Sequence, residues 1–163
     1  MKWVSLSKFA SLAESEFSWL ADEYQFEVSE RRQIGNRYSS IVLRNTTSHV
    51  RIGWEPQDFC YLPVDVGMLS TAEAHDRHIL GRKWPLWAIV VVRSGNEALV
   101  DGLENSTSSS ASHVRAALER SSRALWRYGR DVLIGDFSGA TLFDRTMINH
   151  FRKLKERYAP EHP

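Results

Sequence analysis

The stretch YSSIVLRNTTSHVRIGWE, residues 38–55, decides the fold. Two runs, YSSIVLRN and SHVRIGWE, flank Asn45-Thr46-Thr47, and a short polar break between two such runs reads as a hairpin turn. In the second run Val50, Ile52 and Trp54 fall on one side of an extended chain, and His49, Arg51 and Gly53 on the other. Period two is the mark of a strand. Downstream, DFCYLPVDVGM (58–68) supplies a third strand after a turn at Glu55-Pro56-Gln57-Asp58, with Pro63 at an edge or a bulge and Cys60 inside the strand as a small buried hydrophobe. Upstream, YQFEVSE (24–30) alternates Tyr24, Phe26 and Val28 against Gln25, Glu27 and Ser29, again a strand. Connections this short cannot make parallel crossovers, so the expected sheet is an antiparallel meander.

Helical periodicity brackets the sheet. In SLSKFASLAESEFSWLADEY (5–24), Phe9, Ala13, Phe17 and Leu20 make one stripe; Ser5 or Ser7 can cap the helix, Ser11 with Glu14 also fits a capping box, and the end falls near Tyr24. In SHVRAALERSSRALWRYGR (112–130), Val114, Ala117, Leu118, Ser121, Ala124, Leu125 and Tyr128 share a face, Ser112 can cap the start and Gly129 can close the end. In TLFDRTMINHFRKLKERYAP (141–160), Phe143, Met147, Phe151, Leu154 and Tyr158 align, Thr141 and Asp144 match a capping box, and Pro160 stops the helix.

The span WPLWAIVVVRSG (84–95) carries conflicting signals: Pro85 can open a helix and Gly95 close one, but Ile89 to Val92 are consecutive β-branched residues, and that enrichment favours a buried strand over 85–93. Residues 67–84 read as irregular, with a short helical turn through TAEAHDRHI; ENSTSSSAS (104–112) reads as a flexible serine-rich link. The expected fold is α+β: an N-terminal helix, an antiparallel β-meander, and two or three C-terminal helices packed on the sheet, in one domain over residues 1–163.

Composition sets the outer limits. At 163 residues and 42% hydrophobic, the chain suits one domain rather than two. The net charge of +1 divides unevenly: residues 1–110 hold 11 Lys/Arg and 14 Asp/Glu, or −3, whereas residues 111–163 hold 10 and 6, or +4. That is far from the basic excess of a dedicated nucleic-acid binder. A single cysteine fits a reducing compartment. The N-terminal MKWVSLSKFA lacks the apolar core of a signal peptide, and the longest apolar run, PLWAIVVV, has 8 residues. The expected location is cytoplasmic.

Three motifs bear on function. The letters of GDFSG (135–139) match the start of the Asp-Phe-Gly magnesium loop of protein kinases, but the glycine-rich loop, strand lysine and catalytic loop that such a site needs are missing from the sequence. Between two helices, Asp136 or Ser138 instead caps the next helix, Asp131 caps a short turn through 132–134, and Phe137 enters the core. EAHDRH brings together Glu73, His75, Asp76 and His78; His75 and His78 can share a helix face, but a zinc site needs a third ligand, and His49, His113 and Asp65 are all candidates. No nucleophile elbow, phosphate loop or dinucleotide fingerprint occurs. Finally, Arg120, Arg123, Arg127 and Arg130 form a stripe opposite the apolar face of their helix, a candidate docking surface for an acidic protein.

The ending LWRYGRDVLIGDFSGATLF (125–143), with its D-V-L-x-G-D-F-S corner between two helices, resembles small bacterial α+β proteins, some of them similar to immunity proteins of toxin–immunity systems. The resemblance implies a non-enzymatic, cytoplasmic protein-binding module without a cofactor, and it transfers no binding residues. Arg120, Arg123, Arg127 and Arg130 are the expected partner contacts. The alternative is a metal-dependent hydrolase built on His75 and His78; a weaker third reading is a nucleic-acid regulator using the arginines.

Overall fold

A computed structural model describes residues 4–57, 60–69 and 82–158. The chain enters through α1 (Leu6–Glu16), whose first turn is capped by Ser5 Oγ accepting the Lys8 N–H at 3.2 Å. The expected single helix is broken at Phe17-Ser18 and resumes as α2 (Trp19–Tyr24), which ends on Gln25 in the left-handed conformation, φ 59°. The break leaves the stripe intact: Phe9, Ala13, Phe17 and Leu20 are all fully buried.

Five strands follow in a simple meander, β1 (Glu27–Ile34), β2 (Tyr38–Arg44), β3 (Ser48–Trp54), β4 (Val64–Met68) and β5 (Lys83–Pro85), each antiparallel to the next. The register pairs Ile41 with Ile52, Leu43 with Val50, Val50 with Val66 and Ile52 with Val64, so one face is continuously apolar. The helices lie on that face, with Phe9 stacked on Trp54 at 6.0 Å. β5 overlaps the end of the span expected to be irregular and the start of the expected strand. Cys60, expected within a strand, occupies a turn with φ 53°, and the third strand starts only at Val64, after Pro63.

The hairpin between β2 and β3 is also a clamp. Asn45 Oδ1 accepts the N–H groups of Thr47 (2.9 Å) and Ser48 (2.8 Å), while its Nδ2 donates to the carbonyls of Tyr24 (3.2 Å) and Leu133 (3.1 Å). Ser48 Oγ donates to the Val132 carbonyl at 2.6 Å. Carbonyls at the ends of two helices, which lack helical partners, are thus satisfied by a turn distant in sequence. Gly135 completes the junction: with φ +87° and Thr47 2.9 Å from where a Cβ would stand, it accommodates neither a left-handed L side chain nor its bulk.

Residues 86–94 overturn the strand expected over 85–93. They form α3 (Leu86–Ser94), opened by Pro85 and closed by Gly95 at φ 68°, whose N–H returns to the Val91 carbonyl at 2.9 Å. Boundary signals win because β-branched residues lose only a few tenths of a kcal/mol in a helix, whereas Leu86, Ala88, Ile89 and Val90 are buried by forming it. A 3₁₀ turn at Glu97–Val100 follows. The serine-rich stretch, read as a flexible link, makes hydrogen bonds along its length: Leu62 N–H donates to the Glu104 carbonyl (2.7 Å), Ser106 N–H to the Cys60 carbonyl (3.0 Å), and Val4 N–H to the Ser109 carbonyl (2.9 Å).

The C-terminal third comprises α4 (Ala111–Tyr128), α5 (Arg130–Leu133) and α6 (Ala140–Tyr158). Ser110, not Ser112, occupies the N-cap position of α4. In α6 the expected capping box is absent, because Thr141 is already helical; Asp144 instead accepts the Trp84 indole N–H at 2.8 Å and pairs with Arg82. Only Phe143 of its apolar stripe is fully buried, and Phe151 and Tyr158 are 53% and 75% exposed.

Replacing Asn45 with Ala removes a partner from two N–H groups and two carbonyls at once. We expect a loss of about 2–3 kcal/mol, and a smaller loss for Asn45→Asp, which keeps the acceptors and lacks the amide donors. Urea unfolding midpoints of the three proteins check the order.

Candidate functional site

Asp136 of GDFSG is exposed, and its Oδ1 accepts the Ser138 N–H at 3.0 Å, closing a turn ahead of α6. That bond, seconded by the Ser138 side chain, lowers the Asp136 pKa from its ordinary value. Phe137 is half-buried and packs on Trp84 at 5.7 Å. Asp131 lies within the first turn of α5 and pairs with Arg93 of α3. The corner ties α5 to the hairpin and leads into α6.

Glu73, His75, Asp76 and His78 lie outside the described residues. Of the proposed third ligands, His49 is buried in β3 with its ring over Gly67, Asp65 pairs with Arg51 and Lys83, and His113 Nδ1 bonds Ser110 Oγ at 2.6 Å. Among the described residues no three His, Cys, Asp or Glu side chains gather as a metal site would require. Nor, among them, is any helix long and apolar enough to cross a membrane.

The arginine stripe divides. Arg120 donates to the carbonyls of Gly102 and Asn105, both at 3.2 Å, and so fastens the loop before α4. Arg123 pairs along the helix with Glu119. Arg127 lies over the Tyr128 ring at 5.5 Å. Arg130 lies over Trp126 at 4.1 Å, and its other neighbour is Glu23 at 3.8 Å. Trp126 is 45% exposed. An indole capped by a guanidinium at the edge of an arginine face was not visible as a unit in the sequence, since the two residues come from α4 and α5.

A second feature was missed altogether. Between α3, residues 97–105 and α6 runs an open groove of about 700 Å³, with Trp87 and Val91 on one side and Leu154 on the other. Glu104 lies at its edge and belongs equally to a polar cluster on the sheet face away from the helices. There Arg51 Nε donates to buried Asp65 at 2.9 Å and Lys83 Nζ lies 3.2 Å from the same oxygen. Burial opposes the Arg51 charge, but Asp65 more than restores it, and its pKa ends above the ordinary value. Desolvation, aided by the charge of Asp65, pushes Glu104 up to about 7 against a hydrogen bond from Tyr61. Burial together with Glu104 pushes Tyr61 up to about 12, so the phenol stays protonated and donates. Glu104 Oε1 is buried with no hydrogen-bond partner. No sequence signal marks Glu104, because its burial comes from the pairing of residues 104–106 with 60–62.

No family model matches the chain, and no curated protein or solved structure matches it either.

A carboxyl group whose pKa is raised on folding stabilises the fold fully below its unfolded value, and that contribution fades as pH rises through the folded value. For Glu104 the window runs from 4.5 to about 7. Glu104→Gln therefore gains about 2 kcal/mol over the parent at pH ~8 and almost nothing at pH ~4.5. Urea unfolding across that range reads the difference.

Proposed function

We propose that this chain is a non-enzymatic, cytoplasmic protein-binding module of the immunity type, which neutralises a toxin by covering an acidic surface on it. One observation carries the reading: exposed Trp126 beneath the Arg130 guanidinium, beside Arg123 and Arg127 on the outer face of α4. Tryptophan and arginine dominate the energetic centres of protein interfaces. An indole held by a cation from the next helix is a rigid anchor, and little side-chain freedom remains to be lost on docking. The neighbouring arginines add forked donors for carboxylates and steer an acidic partner. Arg120, whose donors reach Gly102 and Asn105, holds the adjoining loop rather than the partner.

Nucleic acid fits the face less well, because base stacking needs a series of exposed rings and Trp126 stands there by itself on α4. The D-V-L-x-G-D-F-S corner, which prompted the immunity-type comparison, supports the proposal only indirectly: it sets the angle at which α5 brings Arg130 to Trp126.

Affinity capture from the host extract should retain one stoichiometric protein, insensitive to nuclease. Arg123→Glu with Arg127→Glu should weaken it about a hundredfold, mostly through charge, and Trp126→Ala about tenfold or more. Undiminished capture by the charge-reversed protein would sink the assignment to this face. A nuclease-sensitive complex with a steep salt dependence would replace it with nucleic-acid binding.

A further inference from the structure

The groove between α3 and α6 has walls of opposite charge. Residues 97–104 bring the exposed carboxylates of Glu97 and Asp101 to one side, with half-buried Glu104 beside them. Helix α6 brings Arg152, Lys153 and Arg157 to the other. Among the described residues one ion pair crosses between them, Lys153 to Glu97 at 3.4 Å, and both partners are well over half exposed. An exposed pair of that kind is worth little, so it neither closes the groove nor neutralises it. Trp87 and Val91 of α3 and Leu154 of α6 give the groove an apolar lining suited to an aliphatic or aromatic side chain.

The charges restrict the occupant. A purely anionic ligand, such as a nucleotide, is repelled by the carboxylates of one wall; a polycation is repelled by α6. A molecule with an ammonium at one end, a carboxylate at the other and an apolar group between them meets every wall. The volume of about 700 Å³ falls inside the roughly 300–1,000 Å³ typical of small-ligand sites, and a tripeptide, about 10 Å long when extended, carries one charge at each end.

We propose that this groove binds a short zwitterionic peptide, its amino terminus toward Asp101 and Glu104, its central side chain on Trp87 and Leu154, and its carboxylate toward Lys153 and Arg157. The site is independent of the arginine face of α4, and neither proposal needs the other. Helix α6 packs mainly on α3 and leaves Ile148, Phe151 and Tyr158 exposed, so its outer half has room to adjust toward a ligand.

The test uses the whole chain and three synthetic probes: Ala-Leu-Ala, its N-acetylated form and its C-terminal amide. Titration by NMR or calorimetry should give saturable binding of the free tripeptide, with a Kd of about 1 mM or tighter. Each capped probe should bind at least about tenfold more weakly, as expected for loss of one charged contact. Asp101→Asn with Glu104→Gln should abolish the preference for a free amino terminus and keep that for a free carboxylate. Arg157→Gln should do the reverse. The second variant changes one surface side chain, so the test survives a folding defect in the first. Absence of binding well above 1 mM, equal binding of all three probes, or unchanged preferences in a folded Arg157→Gln protein would each overturn the proposal. Arg123→Glu with Arg127→Glu should leave tripeptide binding unchanged.

Discussion

The hairpin turn at Asn45 is the constraint on which the remainder depends. A two-strand ribbon can form without it, but the turn lies where three chain segments from different parts of the sequence meet. One amide side chain holds the turn through its oxygen and the ends of α2 and α5 through its nitrogen, with Ser48 adding a short bond to Val132. All of these bonds but the exposed one from Thr47 are partly or wholly shielded from water, where an unmatched carbonyl is costly. The clamp thereby fixes where the chain turns after α4. It sets the angle of α5, hence the position of Arg130 over Trp126, and it sets the point from which α6 departs. The N-terminal helices are locked from the other side: Trp19 Nε1 donates to Ser122 Oγ, which in turn donates to the Glu16 carbonyl, at 2.8 and 2.7 Å.

The second dependence runs through α3. Were residues 86–94 a sixth strand, α6 would lose the element on which, among the described residues, it packs most. As a helix, α3 covers the core with Leu86, Ala88, Ile89 and Val90, and presents Trp87 and Val91 to the groove. Trp84, just before it, anchors the first turns of α6 through Asp144 and Phe143, and the corner ahead of α6 through Phe137. The start of α6 is thus bound tightly and its end loosely, which explains why its apolar stripe is buried at Phe143, half-covered at Met147 and Leu154, and open at Phe151 and Tyr158.

Local patterns in the sequence disclosed what local forces determine. Val50, Ile52 and Trp54 are buried as their alternation predicts, although His49 and Gly53 opposite are buried too, and of the long stripe Val114, Ala117, Leu118, Ser121 and Leu125 are buried while Ala124 and Tyr128 are half-covered. The strand-or-helix ambiguity of residues 85–93 was different. Four β-branched residues in a row register an intrinsic preference, and tertiary packing outweighs it easily. The capping roles went astray for a related reason. Asp144 has a better use than a helix start, because Trp84 and Arg82 arrive from β5 and its approach. Glu104 was illegible because a carboxylate amid serines gives no sign of burial; only the pairing of distant backbone segments creates its environment. The arginine stripe was legible as a face, but not the division of labour that holds Arg120 to a loop and puts Arg130 on Trp126.

The charge asymmetry of the chain acquires a physical meaning from the ion pairs. The acidic first 110 residues and the basic remainder attract each other within one fold: Arg115 meets Glu16 at 3.5 Å, Arg130 meets Glu23 at 3.8 Å, and Lys153 meets Glu97 at 3.4 Å. In the reverse sense, Arg93 and Arg82 of the acidic part hold Asp131 and Asp144. The reverse pairs sit at the roots of α5 and α6, where they fix position. The forward pairs lie at 3.4–3.8 Å with their cations more than half exposed, and such pairs contribute little to stability. Weak internal pairing leaves these cations and carboxylates exchangeable: a ligand or partner that offers a better-placed charge displaces the internal one at small cost. Arg127, set over Tyr128 with no acidic neighbour within 4 Å among the described residues, needs no displacement at all. A surface whose charges are held loosely, around a tryptophan held firmly, combines the adaptability and the anchoring that recognition of another protein requires.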